Sequence, residues 1–346
     1  MLGAAPIPFR TDADDLLRLV GERMGVGDSY RRPEVSVFFA QDGKQGATVA
    51  DPFFDGEGPA RRTCTRCGSC MIGCRVGAKN TLVKNYLRFA ERHGTDILAE
   101  RTVKEIRPPG AEDGSDGYAI TSVRSGARAR KRRETITARG VVIAAGAIGT
   151  NTLLARAKHT GMLPRLSDRI GAYVRTNSEA LLAVTAKDDS HDFADSVAIT
   201  SSIHPDRHTH IKNVSYGHGG GFMSLLSRCS PAPAAGSPAR SVSPARSSAT
   251  RHRPSPDHPP VELVAAHDDP PGHADPPRVT VLRASAPRQA AHAHHPPGPQ
   301  HPVATFIPAA NRAAEILAHE MDGIAQSNLP EALLNTPAPP TSSVVR

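Results

Sequence analysis

The stretch that most constrains the fold spans residues 137–158, TARGVVIAAGAIGTNTLLARAK. Its apolar residues Val141 to Ala144 predict a buried strand, and Ala145 and Gly146 predict a turn into a helix that begins near Thr150. Small residues at such a turn let the backbone approach a dinucleotide, and the helix start offers free N–H groups and a positive dipole end. The pattern predicts a strand–helix unit of a dinucleotide-binding domain.

A strand of this Ala-Ala-Gly type is typical of the second half of a flavin-binding domain, whose first half carries a G-x-G-x-x-G turn. The 346 residues contain no such turn, because Gly3, Gly21, Gly25 and Gly27 have the wrong spacing and follow no predicted strand. Either the likeness is accidental, or the chain is expected to begin partway through an enzyme.

The net charge of +8 does not predict nucleic-acid binding. Much of it lies in a basic run over residues 128–133, interpreted as a solvated hairpin tip, and in arginines between 240 and 290; no aromatic residues are interleaved and no Trp occurs. No signal peptide is predicted, and no run of about eighteen apolar residues predicts a transmembrane segment. A cytoplasmic or membrane-peripheral location is expected rather than secretion.

Apolar periodicity predicts the remaining elements. Helices are expected over 12–24, capped by Thr11 or Asp12, over 81–93, and over 307–324 with a stripe through Ala310, Ala314, Ile316 and Leu317. The predicted strands cover residues 96–98, 103–107, 118–124, 134–138, 178–185 and 196–202.

The composition changes after Tyr216. Residues 219–302 are rich in Pro, Ser, Ala, Arg and His and have little apolar periodicity, so they cannot bury enough surface to offset chain entropy. A disordered linker is one interpretation, and a shifted reading frame is the other. The abrupt boundaries and the return of a helical pattern near Phe306 favour the shifted frame. Residues 338–346 are expected to be a disordered tail.

Four cysteines, Cys64, Cys67, Cys70 and Cys74, have the spacing C-x2-C-x2-C-x3-C of iron–sulfur ferredoxins. Three interpretations remain open: a [4Fe–4S] site, although Arg75 replaces the usual proline; a zinc site, for which the gaps are tight; and a structural cysteine-rich turn.

The cysteines continue into RVGAKNTL (residues 75–82) and KNYL (84–87). With ARGVVIAAGAIGT, LPRLSDRIG, RTNSEAL, VAITSSIHP and IPAANRAAEI following in order, the chain resembles the glucose–methanol–choline (GMC) flavoprotein oxidoreductases, in particular their actinobacterial cholesterol oxidase-like branch. The resemblance covers about residues 1–218 and 303–337. Members of that branch usually contain this cysteine segment and have no established iron–sulfur cofactor. The resemblance therefore makes a metal at the four cysteines less expected.

The resemblance implies FAD as cofactor, hydride transfer from a sterol or other bulky alcohol to the flavin, and reoxidation by oxygen or an electron acceptor. It assigns Val103 to the adenine region, and Ala145 and Gly146 to a strand end packed against the cofactor. Residues 177–179 and 200–202 would belong to the sheet over the sterol pocket. Asn80 and Lys79 are expected to cap the helix at 81–93.

The resemblance names no catalytic residue in this chain. The family's His and Asn that face the flavin would follow residue 335. The segment from His301 to Thr305 looks like a late family motif, but it precedes the IPAANRAAEI helix instead of following it, so it is not assigned that role. His204, His208 and His210 are predicted to be surface residues rather than bases.

The fold expected is α/β (α+β overall), a partial FAD-binding Rossmann-like domain at 1–160 and part of a sheet-rich substrate domain at 161–218 and 303–337. Alone, the chain is expected to hold FAD weakly and to be inactive. The rival hypotheses are a ferredoxin-like electron carrier built on the four cysteines, and a non-enzymatic remnant whose basic Pro-rich tract binds acidic partners.

Overall fold

A computed structural model describes residues 2–126, 132–170, 180–187, 191–218, 227–229, 261–267 and 307–328. Its helices are α1 (Asp12–Arg23), α2 (Tyr86–Arg92), α3 (Gly146–His159) and α4 (Pro308–Glu320), with short 3-10 turns at Gly27–Ser29, Ser69–Met71 and Leu82–Lys84. Its strands are β1 (Thr48–Val49), β2 (Arg61–Arg62), β3 (Arg101–Arg107), β4 (Tyr118–Arg124), β5 (Arg133–Ala138), β6 (Ala180–Ala186), β7 (Ser202–Ile203), β8 (Thr209–Val214), β9 (Ser227–Cys229), β10 (Val261–His267) and β11 (Gly323–Asn328). The mixture of helices and sheets confirms the predicted α/β class.

The chain divides into two compact units. The first draws its described residues from Met1–Gly94, Ser178–Pro270 and Ala304–Pro339, and the second draws them from Thr95–Asn177. The predicted assignment of domains to cofactor and substrate stays a prediction.

The first unit is built on a six-stranded antiparallel sheet in the order β7-β8-β10-β6-β11-β9. Helices α1 and α4 pack on this sheet and on each other. Leu17 and Val20 of α1, Leu317 of α4, and Val184 and Ile211 of the sheet share one core and are at most 1% exposed. The apolar stripes of both helices therefore close over the same sheet.

The ends of α1 follow from its sequence. Thr11 is the N-cap, and its hydroxyl accepts from the Asp14 N–H while the Asp14 carboxylate accepts from the Thr11 N–H, which forms a capping box. The predicted helix and the choice of Thr11 as cap are confirmed. In α4 the buried stripe is Ala310, Ala313, Ala314 and Leu317, whereas Ile316 is only half-buried.

The second unit holds a three-stranded antiparallel meander, β3-β4-β5, with α3 against β3. The meander confirms the strands predicted over 103–107, 118–124 and 134–138. The strand predicted at 96–98 is wrong: those residues are coil, and Ile97 and Leu98 are exposed.

Three other predictions need correction. The helix expected over 81–93 is split at Asn85, whose φ of -135° and ψ of -103° break the helical path and whose side chain caps α2. Most of the strand expected over 196–202 is irregular, because Ser196 pairs with the cysteine loop and the Ser201 N–H bonds to the side chain of Asn213 rather than to a strand backbone; only Ser202 joins β7. Within the predicted disordered stretch, β9 and β10 are strands of the six-stranded sheet; the rest of residues 219–302 lies outside the described residues.

Candidate functional site

The start of α3 carries the predicted dinucleotide contact. Ala145 is the N-cap residue and makes no side-chain capping bond, and the first turn contains no acidic residue. Gly146 has a φ of +69°, and a Cβ added there would meet nothing within 4 Å. The N-terminal N–H groups and the positive dipole end of α3 are therefore free of a side-chain cap and can be approached along the backbone.

The strand predicted before this helix does not form. Residues 141–144 are coil; Val142 is 92% exposed, and Ile148 in the first turns of α3 is 60% exposed. A strand exists only when a neighbour completes its hydrogen bonds, and no such neighbour occurs among the described residues of this unit. The apolar residues were predicted to be buried in a strand, but in the structure they lie in an exposed coil.

Val103 lies in the same unit as Ala145 and Gly146. It faces Ser122 across the β3–β4 ladder, directly before a shift in register between Val103 and Glu105, and its side chain is 39% exposed. The strand that carries Val103 contacts α3. The structure thus places the three residues predicted to bind the cofactor on two contacting elements, while their role stays a prediction.

The four clustered cysteines line one small cavity in the first unit. Its wall also contains Val37, Thr65, Gly68, Ser69, Val76, Ala78 and Ser196. All four thiols are free; Cys67 is exposed, whereas Cys64, Cys70 and Cys74 are half-buried. The spacing of the cysteines therefore brings four sulfur atoms to one place.

The cysteine loop is anchored on distant segments by backbone hydrogen bonds. Cys67 bridges Ser196 in a parallel sense, with the Gly68 N–H donating to Ser196 O and the Ser196 N–H donating to Arg66 O, both at 2.8 Å. At Gly68, where φ is +66°, an added Cβ would lie 2.7 Å from Ala194 O. Only glycine fits this approach, so the loop geometry is specified locally.

The cavity distinguishes its thiols electrostatically. Burial raises the pKa of Cys64 to about 11 and also raises the pKa of Cys70. At Cys67 partial burial acts in the same direction, but the polar groups of Ser69 and Thr65 outweigh it and lower the pKa; the Ser69 hydroxyl donates to the Cys67 carbonyl at 3.2 Å. Cys67 is therefore converted to a thiolate more readily than Cys64 or Cys70.

The cavity does not have the arrangement of a metal centre. Among the residues that the structure describes, which include these four cysteines, no group of three or more His, Cys, Asp or Glu side chains is placed to hold a metal ion. The side chains of Cys64, Cys70 and Cys74 instead pack against the apolar cluster of Ile7, Val37, Ala78 and Val197. Three of the thiols thus contribute to a small core beneath the loop, while the choice among the iron–sulfur, zinc and structural interpretations stays a prediction.

The neighbouring polar residues have other roles than predicted. Asn80 is not a helix cap: its side-chain N–H donates to Leu2 O at 2.8 Å and ties the N-terminal segment to the loop. The 3-10 turn at Leu82–Lys84 has no side-chain cap, so Lys79 does not cap the helix either; its carbonyl accepts from the Lys84 ammonium at 3.1 Å. Asn85 caps it instead, by accepting from the Tyr86 N–H at 2.6 Å.

His204, His208 and His210 lie at the turn into β8 and at its start, and none of them lines the cysteine cavity. His204 is exposed, and its ring stands 6.1 Å from that of His210; His208 and His210 are half-buried. Their prediction as surface residues holds for His204 and only in part for the others. His301 to Thr305 and residues 177–179 lie outside the described residues.

Sequence reasoning missed the partners that the fold brings to the cysteines. Val37 and Ser196 line the cavity from positions 27 residues before Cys64 and 122 residues after Cys74. Thr65 and Ser69 lie two residues before and two residues after Cys67. Their hydroxyl groups were the one part of the environment of Cys67 that the sequence indicated. Backbone pairing at such separations has no signature in a single sequence.

Comparison with known proteins agrees with the motif resemblance. The family model described as GMC oxidoreductase matches residues 12–162. A cholesterol oxidase of Mycobacterium tuberculosis (strain H37Rv) is 48% identical over 231 residues, which is 65% of this chain and 39% of the relative. A cholesterol oxidase of Acinetobacter baumannii is 43% identical over 228 residues, covering 65% of this chain and 41% of the relative.

The matched segment is similar to the GMC oxidoreductases, and the resemblance inferred from the motifs is confirmed over that segment. It spans about two fifths of the length of the curated relatives that it matches. The family is one of FAD-dependent oxidoreductases, as predicted. In the described part of the chain, the helices are too short or too polar to cross a bilayer.

Proposed function

We propose that this chain serves the FAD-dependent oxidation of the CH–OH group of a sterol, with Val103, Ala145 and Gly146 forming part of the flavin site. The observation that carries the proposal is the match of residues 12–162 to the family, which includes all three residues. The names of the relatives, both cholesterol oxidases, support a sterol as the alcohol.

The residues present fit a bound dinucleotide at the start of α3. A negatively charged pyrophosphate is stabilised by free N–H groups and the positive end of a helix dipole, and α3 begins with no side-chain cap and no carboxylate. Gly146 leaves open space beside the backbone, and the exposed Val142 and Ile148 offer apolar surface for a cofactor ring to cover.

Bound FAD would accept a hydride from the carbinol carbon, with oxygen or another acceptor reoxidising it. The described residues would contribute binding and orientation: Ala145 and Gly146 at the phosphates, Val103 near the adenine. The proton of the substrate hydroxyl needs a base, and no described residue is assigned to that role.

We propose in addition that the chain by itself binds FAD weakly and does not turn over. Its sequence contains no G-x-G-x-x-G turn, so one of the two glycine-rich contacts of a flavin domain is not supplied by these 346 residues. The proposed contacts around Gly146 are also exposed, so they enclose little of a cofactor.

A titration tests the behaviour of the isolated chain. We expect FAD fluorescence to report a Kd weaker than about 10 µM, and cholesterol plus FAD to yield no hydrogen peroxide. Saturation near about 1 µM, or peroxide formation that depends on cholesterol, would contradict the proposal of weak binding.

A segment exchange tests the function itself. Residues 12–162 replace the corresponding segment of the Mycobacterium tuberculosis cholesterol oxidase, and we expect the chimera to retain FAD and to oxidise cholesterol. A folded chimera without flavin would contradict the assignment.

Two glycine variants of the chimera locate the flavin contact. Gly146→Ala should lower the fraction of protein with bound FAD severalfold, because a methyl group enters the backbone face at the start of α3. Gly161→Ala is the matched control, since Gly161 follows the same helix, has a φ of +70° against +69° at Gly146, and also has nothing within 4 Å of an added Cβ. Equal loss in both variants would mean that backbone strain, not cofactor contact, is responsible.

A further inference from the structure

The cysteine cavity contains chemistry that the proposed oxidation of a sterol does not use. Four thiols line it, and they differ in accessibility: Cys67 is exposed and the other three are half-buried. Packing alone does not explain why Cys67 is exposed, because thiols that only fill a core are buried.

We propose that Cys67 is an oxidation-sensitive thiol, which hydrogen peroxide converts to a sulfenic acid and which Cys70 then captures as a disulfide. The inference depends on the cavity and not on the proposed sterol oxidation.

The surroundings of Cys67 favour its reaction with peroxide. It is the exposed thiol of the cavity, and the polar groups of Ser69 and Thr65 lower its pKa despite its partial burial. The thiolate is the form that attacks a peroxide, and exposed thiols with a lowered pKa are the ones oxidised first.

The choice of Cys70 as the second thiol follows from its position. Cys67 and Cys70 enclose two residues, Gly68 and Ser69, the spacing of dithiol motifs, and both cysteines line the same cavity. Cys64 has the same spacing on the other side, but its sulfur accepts from the Arg66 N–H at 3.3 Å and its pKa of about 11 keeps it protonated at neutral pH. Burial raises the pKa of Cys70 as well, so the choice of Cys70 depends on the hydrogen bond that holds the Cys64 sulfur and not on a difference in protonation.

The two steps balance with peroxide as the only oxidant. First, the Cys67 thiolate attacks one peroxide oxygen, an S–O bond forms, the O–O bond breaks and hydroxide leaves. Second, the Cys70 thiolate attacks the Cys67 sulfur, an S–S bond forms, the S–O bond breaks and a second hydroxide leaves. Two thiols lose two protons and two electrons in total, and one peroxide becomes two waters.

Peptide mapping of the full chain tests the disulfide directly. The reduced protein is treated with hydrogen peroxide, blocked with iodoacetamide and digested with trypsin without reduction. Tryptic cleavage separates residues 63–66, which carry Cys64, from residues 67–75, which carry Cys67, Cys70 and Cys74. We expect the 67–75 peptide to contain one internal disulfide with Cys74 alkylated, and to recover three alkylated cysteines after dithiothreitol.

Single variants assign the roles of the thiols. Cys67→Ser should slow peroxide-dependent thiol loss by at least about tenfold, whereas Cys70→Ser should leave a Cys67 sulfenic acid that dimedone traps. Cys74→Ser is the matched control, because it removes another cavity thiol and should leave both the rate and the 67–70 link unchanged. Circular dichroism checks that each variant is folded. If a variant does not fold, the peptide mapping of the unmodified chain decides whether the proposal holds.

Three results would overturn the proposal. A disulfide that joins the two tryptic peptides would make Cys64 the partner. An unchanged rate of thiol loss in folded Cys67→Ser would show that another cysteine reacts first. Iron or zinc retained by the purified chain, with thiols that resist iodoacetamide until a chelator is added, would make the cavity a metal site.

Discussion

The two units use apolar sequence in opposite ways. In the first, α1 buries six of its twelve residues, and with α4 it covers the six-stranded sheet. In the second, α3 is longer, at fourteen residues, yet Ala157 is its one buried residue. The apolar residues of α1 thus enter a core, whereas most of those of α3 stay on the surface.

The difference teaches that apolar sequence predicts burial only where a partner is present. Leu17 and Val20 meet Leu317 and Ile203 across the first core. Val142 and Ile148 meet no equivalent among the described residues of the second unit and remain exposed. This open surface coincides with the residues that the family resemblance assigns to the flavin.

The largest difference between the units should come from truncating a core side chain. Leu317→Ala should lower the free energy of unfolding by about 3 kcal/mol, because Leu317 is 1% exposed within the first core. Val142→Ala, at 92% exposure, should change it by less than about 0.5 kcal/mol. Urea unfolding followed by circular dichroism measures both, and equal effects would refute the contrast in burial.

A buried polar network sharpens the comparison. Asn213 is fully buried; its side-chain oxygen accepts from the Ser201 N–H at 2.9 Å, and its NH₂ group donates to the Thr200 hydroxyl at 2.7 Å. Asn213→Ala leaves these partners unsatisfied and should cost about 2 kcal/mol. Asn151→Ala in α3 is the matched control: it removes one half-buried bond, to Ala147 O at 2.8 Å, and should cost less than about 1 kcal/mol in the same unfolding assay.

The smallest expected effect concerns the helix starts. Thr11→Ala removes the capping box of α1 and should lower the midpoint of thermal unfolding, at a cost of about 1 kcal/mol, while Thr11→Ser should keep most of the stability. The α3 start has no side-chain cap to lose. A Thr11→Ala protein as stable as the original would mean that tertiary packing alone holds the α1 terminus.

The sequence predicted those features that depend on neighbouring residues. The capped α1, the strands of the meander and the α4 helix follow from local periodicity and caps. The coil at 141–144 and the irregular path from Ser196 to Ser201 depend on partners far along the chain, or on the lack of one, and single-sequence patterns do not encode those. The split at Asn85 is local, because its side chain accepts from the Tyr86 N–H and begins a new helix.

The candidate site shows the same division. The cysteine spacing predicted that the thiols would cluster, and the small residues before α3 predicted an approachable backbone. The lowered pKa of Cys67 could not be predicted from the sequence. It depends on the exposure of the side chain, on the orientation of Thr65 and Ser69, and on the backbone pairing with Ser196.

Hydrogen exchange with and without FAD tests most directly the claim that the exposed segment leading into α3 is part of the flavin site. Without ligand, amides of residues 141–145 should exchange rapidly and those of β6 slowly. Addition of about 1 mM FAD should slow exchange over residues 141–149 and leave β6 unchanged. FAD-dependent protection that falls on the cysteine loop, or an unchanged rate at 141–149 when FAD is shown to be bound, would contradict the account.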